Sequence, residues 1–230
     1  MGGGTPKTLL DLGDRGPLLR YILKGLKLAG VEDVLVVTGH RAEDVQDFVT
    51  QEWDGEGVSF LRNTRFASWG NFHSVRIAID RSPGHDLLVV NSDIVIHPDV
   101  YTRVVETEGD LVLAVQRRQR LDQEDMRVEL KGGRIAAIGK SLSTGRSHGE
   151  YAGVSLIRSL GQRAYGDESN RWQWKATTSG YYEDVYAEIL PNLEVRAAEV
   201  AAGEYAEVDT PQDAHAATEV IDRHFGASTG

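Results

Sequence analysis

Short apolar, β-branched runs separated by segments with helical spacing are what most constrain this chain. Val34-Leu35-Val36-Val37 is apolar at every position, so it reads as a strand buried on both faces. Before it, Leu18, Leu19, Ile22, Leu23 and Leu26 recur at helical spacing between Pro17, a helix-starting proline, and Gly30, a terminating glycine. The rhythm continues with a helix over 42–51, a strand over 58–61, a helix over 71–79 and a strand over 86–90. A helix over 98–107 and a strand over 110–116 follow, then a hairpin over 126–138 turning at Gly132-Gly133. A strand over 154–157, a helix over 182–190, a strand over 194–200 and a last helix from Pro211 to Phe225 complete the reading, with a frayed tail after about residue 226. The alternation predicts an α/β fold, a doubly wound and mostly parallel sheet with a small antiparallel hairpin region. No composition break divides the chain, so residues 1–230 are expected to form a single domain.

Composition excludes several classes of function. There are no cysteines, which rules out disulfides, thiolate metal sites and a cysteine nucleophile, and suits a cytoplasmic location. The net charge of -10 argues against nucleic acid as a partner, because binding a phosphate backbone needs a basic face. No apolar run approaches the roughly 20 residues that span a bilayer. The seven histidines are scattered without zinc-type spacing. No nucleophile elbow, Walker A loop or GxGxxG fingerprint is present.

In open α/β sheets ligands gather at the carboxyl ends of the strands, so polar residues there carry the most weight. Asp93 follows the apolar run Leu87-Leu88-Val89-Val90 and is placed either to hold Mg²⁺ or to cap a turn or helix. Asp209, in Tyr205-Ala206-Glu207-Val208-Asp209-Thr210-Pro211, offers a second carboxylate; the alternative is an N-cap, with Pro211 at the first helical position. Lys7, in a glycine-rich opening, either meets a polyphosphate or is simply solvated. Arg171-Trp172-Gln173-Trp174-Lys175 and Gly180-Tyr181-Tyr182-Glu183-Asp184 read either as a pocket for a cationic head group or as packing aromatics and a helix start.

Taken in order, these segments resemble a known family. Thr5-Pro6-Lys7-Thr8-Leu9-Leu10, Pro17-Leu18-Leu19, Gly30-Val31-Glu32-Asp33-Val34 and Val37-Thr38-Gly39 are similar to the start of the sugar-phosphate and phosphocholine-type nucleotidyltransferases. The order continues with Asn63, Asn71-Phe72-His73-Ser74, Ser92-Asp93, Gly149-Glu150-Tyr151-Ala152-Gly153-Val154 and the segment from Tyr205 to Asp213. The Asn-x-x-Ser element and compact length look most like the cytidylyltransferase branch.

The resemblance implies a Rossmann-like nucleotidyltransferase fold and a reaction in which CMP passes from CTP to a small phosphorylated or phosphonate acceptor, releasing pyrophosphate. It implies that Lys7 contacts phosphate and that Asp93 and Asp209 share Mg²⁺. Asn71 and Ser74 would lie near the nucleotide, and Lys140 and Glu150 would face the acceptor. Asp184 is the carboxylate that would oppose an acceptor's ammonium group. Expected partners are the nucleoside triphosphate and the acceptor, with a homodimer left open and neither nucleic acid nor membrane. The family also carries a first strand ending in Leu-Ala-Ala-Gly-x-Gly-x-Arg-Met/Leu, with Met1 falling at its last apolar position; Met1 is therefore expected to be an internal codon or a cut, and activity to need the upstream loop. The rival readings are a hexose-1-phosphate uridylyl- or thymidylyltransferase and a non-catalytic nucleotide-binding relative.

Overall fold

The computed structural model describes residues 4–53, 56–118, 120–210 and 213–226. The expected helix start at Pro211, the opening Met1 to Gly3 and the tail beyond 226 lie outside these residues. Contacts divide the chain into two compact units, each built from separated segments: Met1–Arg62, Asn91–Thr102 and Ala201–Gly230 form one, Asn63–Val90 and Arg103–Val200 the other.

In the first unit, α1 (Leu18–Leu28) forms because Leu18, Leu19, Ile22, Leu23 and Leu26 line one face, which is buried. It ends where the sequence places Gly30: the N–H groups of Gly30 and Val31 donate to the carbonyls of Lys27 and Leu26, and Gly30 takes φ +76°. That pairing of terminal carbonyls needs a left-handed residue, which glycine supplies without strain. Strands β1 (Val34–Thr38) and β2 (Val58–Arg62) pair in parallel, Val34 opposite Val58, with α2 (Ala42–Glu52) between them in sequence. A second, antiparallel pair joins β4 (Ile94–Ile96) to β10 (Tyr205–Glu207). A core including Leu18, Tyr21, Val95, Ala206, Val220 and Ile221 joins this pair to α1 and α7 (Ala214–His224).

The second unit holds a six-stranded sheet in the order β3-β8-β5-β9-β7-β6. Its strands are β3 (Leu87–Val90), β5 (Leu111–Gln116), β6 (Arg127–Lys131), β7 (Arg134–Gly139), β8 (Gly149–Ile157) and β9 (Val195–Val200). Helices α3 (Phe72–Arg81), α5 (Ser159–Trp174) and α6 (Tyr182–Ile189) belong to it, and α4 (Pro98–Glu106) runs from the first unit into the second. β8 is buried at all nine positions and β5 at all six. Between Leu113 and Val115 their register shifts, and Gly153 sits in the bulge at φ +73°. Hydroxyls inside this core bond to one another: Ser155 Oγ lies 2.8 Å from Tyr186 Oη, and Tyr182 Oη donates to Tyr151 Oη at 3.0 Å.

The α/β class holds, but the mostly parallel sheet does not. Among the described residues only β1–β2 and β5–β9 pair in parallel, while β3–β8, β5–β8, β6–β7, β6–β8, β7–β9 and β4–β10 are antiparallel. The physical reason is that a strand covered on both faces is apolar throughout, whichever way its neighbours run. The hairpin at Gly132-Gly133 forms as expected, and helix α5 and strands β4 and β10 are additions to the sequence reading. No described helix is long and apolar enough to cross a membrane.

Candidate active site

Backbone register assembles the acidic cluster of the first unit. Glu207 lies opposite Ile94 in the β4–β10 pair, and one step further the Val208 N–H donates to the Asp93 carbonyl at 2.8 Å. This places Asp93, just before β4, beside the segment that leaves β10. Glu207 and Asp209 are two residues apart, the spacing that puts side chains on one face of an extended chain. Asp93, Glu207 and Asp209 each offer an oxygen, and the three lie within 4.8 Å of one another. Lys7 closes the group: its Nζ donates to Asp209 Oδ1 at 2.7 Å. Lys7, Asp93 and Asp209, singled out in three distant stretches of sequence, are therefore neighbours.

Asp209 is not the N-cap of the last helix. That helix starts at Ala214 after Asp213, and the Asp213 carboxylate collects the backbone N–H groups of Asp209 and Thr210 and the Thr210 hydroxyl. These donors hold the Asp213 carboxyl below the usual carboxylate range. The turn is thus tied by Asp213, which leaves the Asp209 side chain directed at Lys7.

The electrostatics set the chemistry available. Burial pushes the Asp93 carboxyl above the usual range, and the charge of Asp209 adds to the shift; a backbone hydrogen bond and Lys7 oppose it. Asp93 Oδ1 is buried without a hydrogen-bond partner. The hydrogen bond to Asp209 raises the Lys7 pKa against a smaller desolvation effect, with the charges of Asp209, Asp93 and Glu207 adding to it. Three hard oxygen donors and a buried, unpartnered carboxylate oxygen fit a small divalent cation such as Mg²⁺. Glu207 lies within the sequence motif but is not among the residues the sequence reading assigns to the site; its two-residue offset from Asp209 is the signal that marks it.

The other candidates belong to the second unit, where their contacts are chiefly architectural. The Asn71 Oδ1 accepts the Tyr182 N–H at 2.9 Å, tying the start of α6 to that of α3. Ser74 Oγ accepts from Asn63 Nδ2 at 3.0 Å. Asp184 accepts the Tyr181 N–H at 2.8 Å, closing the first turn of α6. Lys140 is exposed, 3.6 Å from Glu124 and 5.7 Å from the centre of the Tyr181 ring. Glu150 is buried with Oε2 2.9 Å from Arg118 Nη1, a contact of charge rather than a well-aligned hydrogen bond. Trp172 packs 5.1 Å from Phe72, centre to centre, and so closely over Gly180 that a Cβ there would lie 2.2 Å from its ring. Trp174 is 92% exposed. Packing thus explains Trp172 and Tyr182, and Trp174 and Tyr181 face solvent.

Three comparisons bear on what these units are. The model of the MobA-like NTP transferase domain matches residues 1–175. The bifunctional IPC transferase and DIPP synthase of Rubrobacter xylanophilus is 29% identical over 223 residues, covering 95% of this chain and 48% of that protein. The CMP-5'-(3-aminopropyl)phosphonate synthase of Streptomyces rubellomurinus is 29% identical over 112 residues, 49% of this chain and 18% of its own length. The chain therefore spans about half of one relative and less than a fifth of the other. Among solved structures, the inositol-1-phosphate CTP transferase of T. maritima superposes with a TM-score of 0.77 over 96% of this chain and 89% of that one. Their sequence identity is 19%, so this likeness speaks for the fold.

Proposed function

This chain belongs to the family of MobA-like NTP transferase domains, and on that premise we propose that it moves CMP from CTP to a small phosphate or phosphonate acceptor. The observation that carries the reading is the convergence of Lys7 with Asp93, Glu207 and Asp209. The names of two similar proteins, an inositol-1-phosphate CTP transferase and a CMP-5'-(3-aminopropyl)phosphonate synthase, support CTP and a phosphoryl acceptor.

In the proposed reaction an acceptor oxygen attacks the α-phosphorus of CTP. The bond from that phosphorus to the β-phosphate oxygen breaks, and pyrophosphate leaves with its electron pair. The acceptor oxyanion is already nucleophilic at neutral pH, so the protein needs neither a covalent nucleophile nor a strong base. Asp93 and Asp209, with Glu207 beside them, would hold Mg²⁺, which supplies charge neutralisation for a bound triphosphate. Lys7 adds a fixed positive charge next to the carboxylates, suited to a phosphate oxygen. The antiparallel β4–β10 pair sets the spacing of the acids before substrate arrives, so little reorganisation accompanies binding.

We place this chemistry in the cytoplasm, where nucleoside triphosphates are plentiful. The test is pyrophosphate release by the purified chain, across CTP, UTP, dTTP and GTP and a panel of phosphomonoesters, phosphonates and hexose 1-phosphates, with and without Mg²⁺. Turnover only with UTP or dTTP and a hexose 1-phosphate would replace the proposed substrates. Nucleotide binding without release from any pair, also when the chain is extended upstream of Met1, would make it a non-catalytic relative. Sedimentation of the same preparation decides between monomer and homodimer.

A further inference from the structure

The bond between Lys7 and Asp209 carries little of the fold. Its partners are 202 residues apart in sequence, and their side chains are 55% and 58% exposed. An ion pair so open to water adds next to nothing to stability and weakens further as salt is added. What the contact does is set instead by the other work of Asp209.

The two ends of Lys7 differ in freedom. Its backbone is anchored at the start of a short 3₁₀ turn, Lys7–Leu9, where its carbonyl accepts the Leu10 N–H at 2.9 Å. The Leu10 carbonyl in turn accepts the Leu18 N–H at 3.2 Å, which fastens the turn to the start of α1. Beyond that anchor a flexible four-carbon stem runs half in water, so the charge is permanent while its position is not. The ammonium also feels Asp93 and Glu207, whose charges act on it alongside that of Asp209. One lysine is therefore the shared counter-charge of all three carboxylates.

Asp209 cannot serve two cations at full strength. An ammonium and a divalent ion drawn to one carboxylate repel each other, and an oxygen that already accepts from Lys7 has less to give a metal. A nucleoside triphosphate changes the balance, because its phosphate oxygens offer the ammonium a second anionic partner.

We infer that Lys7 is an exchangeable counter-ion: it lowers the affinity of the acidic cluster for a bare divalent cation and releases Asp209 when the cation arrives with a triphosphate. Metal and nucleotide are thereby coupled, each strengthening the binding of the other by the same factor. The inference rests on the reading of Asp93, Glu207 and Asp209 as a divalent-cation site, and adds to it a preference for the metal–nucleotide complex over the free ion.

The experiment first follows Mn²⁺ alone on the full chain, through the loss of its free-ion electron spin resonance signal. Lys7→Met should bind Mn²⁺ about fivefold more tightly at low salt, and the gain should shrink as salt is added. Lys7→Arg keeps the charge and should bind Mn²⁺ as the unmodified chain does. With the Mg²⁺ complex of CTP, measured by calorimetry, the order reverses: Lys7→Met should bind about tenfold more weakly. Opposite signs for the two ligands separate exchange from a merely structural role, since loss of structure would weaken both.

Three results overturn the inference. Mn²⁺ binding by Lys7→Met that is no tighter than normal, while Asp93→Asn loses the ion, removes the exchange and leaves the metal reading standing. Tighter Mn²⁺ binding by Lys7→Met with no loss of affinity for the Mg²⁺–CTP complex does the same. Equal Mn²⁺ affinity in the unmodified chain and in Asp93→Asn shows that the cluster is not the cation site, and both readings fall together.

Discussion

The core of the six-stranded sheet and the end of the β4–β10 pair are both built from buried strands, yet they treat polar atoms in opposite ways. In the sheet, Ser155, Tyr151, Tyr182 and Tyr186 bury hydroxyls that bond to one another, and burial raises the tyrosine pKa values so that they stay neutral. At the end of β4–β10, three carboxylates lie within 4.8 Å and one of their buried oxygens has no partner. A satisfied polar network rigidifies a core; a crowded, unsatisfied one is costly unless a ligand completes it. The contrast fits a first region that serves stability and, on the function proposed above, a second that serves binding.

The strongest way to break the contrast is Asp93→Asn. It should cut turnover by about a thousandfold, roughly 4 kcal/mol of transition-state stabilisation, while the folded structure persists. The check is pyrophosphate release alongside circular dichroism. A variant that keeps most of its Mg²⁺-dependent activity, or that unfolds, contradicts the assignment of Asp93 to binding.

In the sheet the order of effects should reverse. Leu113 is fully buried in β5, and Leu113→Ala should cost about 3 kcal/mol of stability through the cavity it leaves. Denaturant unfolding measures the loss, and the surviving folded fraction should keep its normal KM values. Tyr186→Phe is milder: it removes one hydrogen bond of the Ser155 hydroxyl and should cost about 1 kcal/mol, again read by denaturant midpoint. A large, selective loss of activity in Tyr186→Phe would dissolve the distinction between the two regions.

How much of this was legible in the sequence differs between the regions for physical reasons. Helix α1 was readable to its last residue, because its apolar stripe and Gly30 are local signals. Helix α5 was not. Its buried positions include Gly161, Gln162, Glu168 and Ser169, so no apolar stripe exists to detect. Gly161 is there because a Cβ would lie 2.6 Å from the Asp110 carbonyl, a close approach that no local pattern encodes. Strand direction was hidden because a buried strand such as Leu87 to Val90 is equally apolar beside an antiparallel neighbour. Asp93 and Asp209 could be picked out as carboxylates at element ends, but their meeting depends on β4 and β10. These strands have three residues each, too short for periodicity to register. Glu207 was missed with them, since its role follows only once Tyr205–Glu207 is known to be extended.

The smallest predicted effect tests the cost of the crowded carboxylates directly. Asp93 has its pKa raised in the folded protein, chiefly by burial and then by Asp209. Folding therefore favours its protonated form, and the stability linked to that proton is present in full below the unfolded carboxylate pKa, about 3.9. It is lost as pH rises through the elevated folded value, so at neutral pH the ionised side chain is a net burden on the fold. Asp93→Asn removes the burden. Its thermal midpoint should exceed that of the unmodified chain by a few degrees at neutral pH, and the two should converge as pH falls toward the ordinary carboxylate range. Differences between the two proteins cancel the acid sensitivity of groups that do not interact with Asp93; Asp209 and Lys7 do interact with it. Adding Mg²⁺ at neutral pH should then raise the midpoint of the unmodified chain but not of Asp93→Asn, because only a site that binds the ion is stabilised by it. A variant less stable than the unmodified chain at neutral pH would show that Asp93 holds the fold together, and the contrast between the two regions would have to be drawn elsewhere.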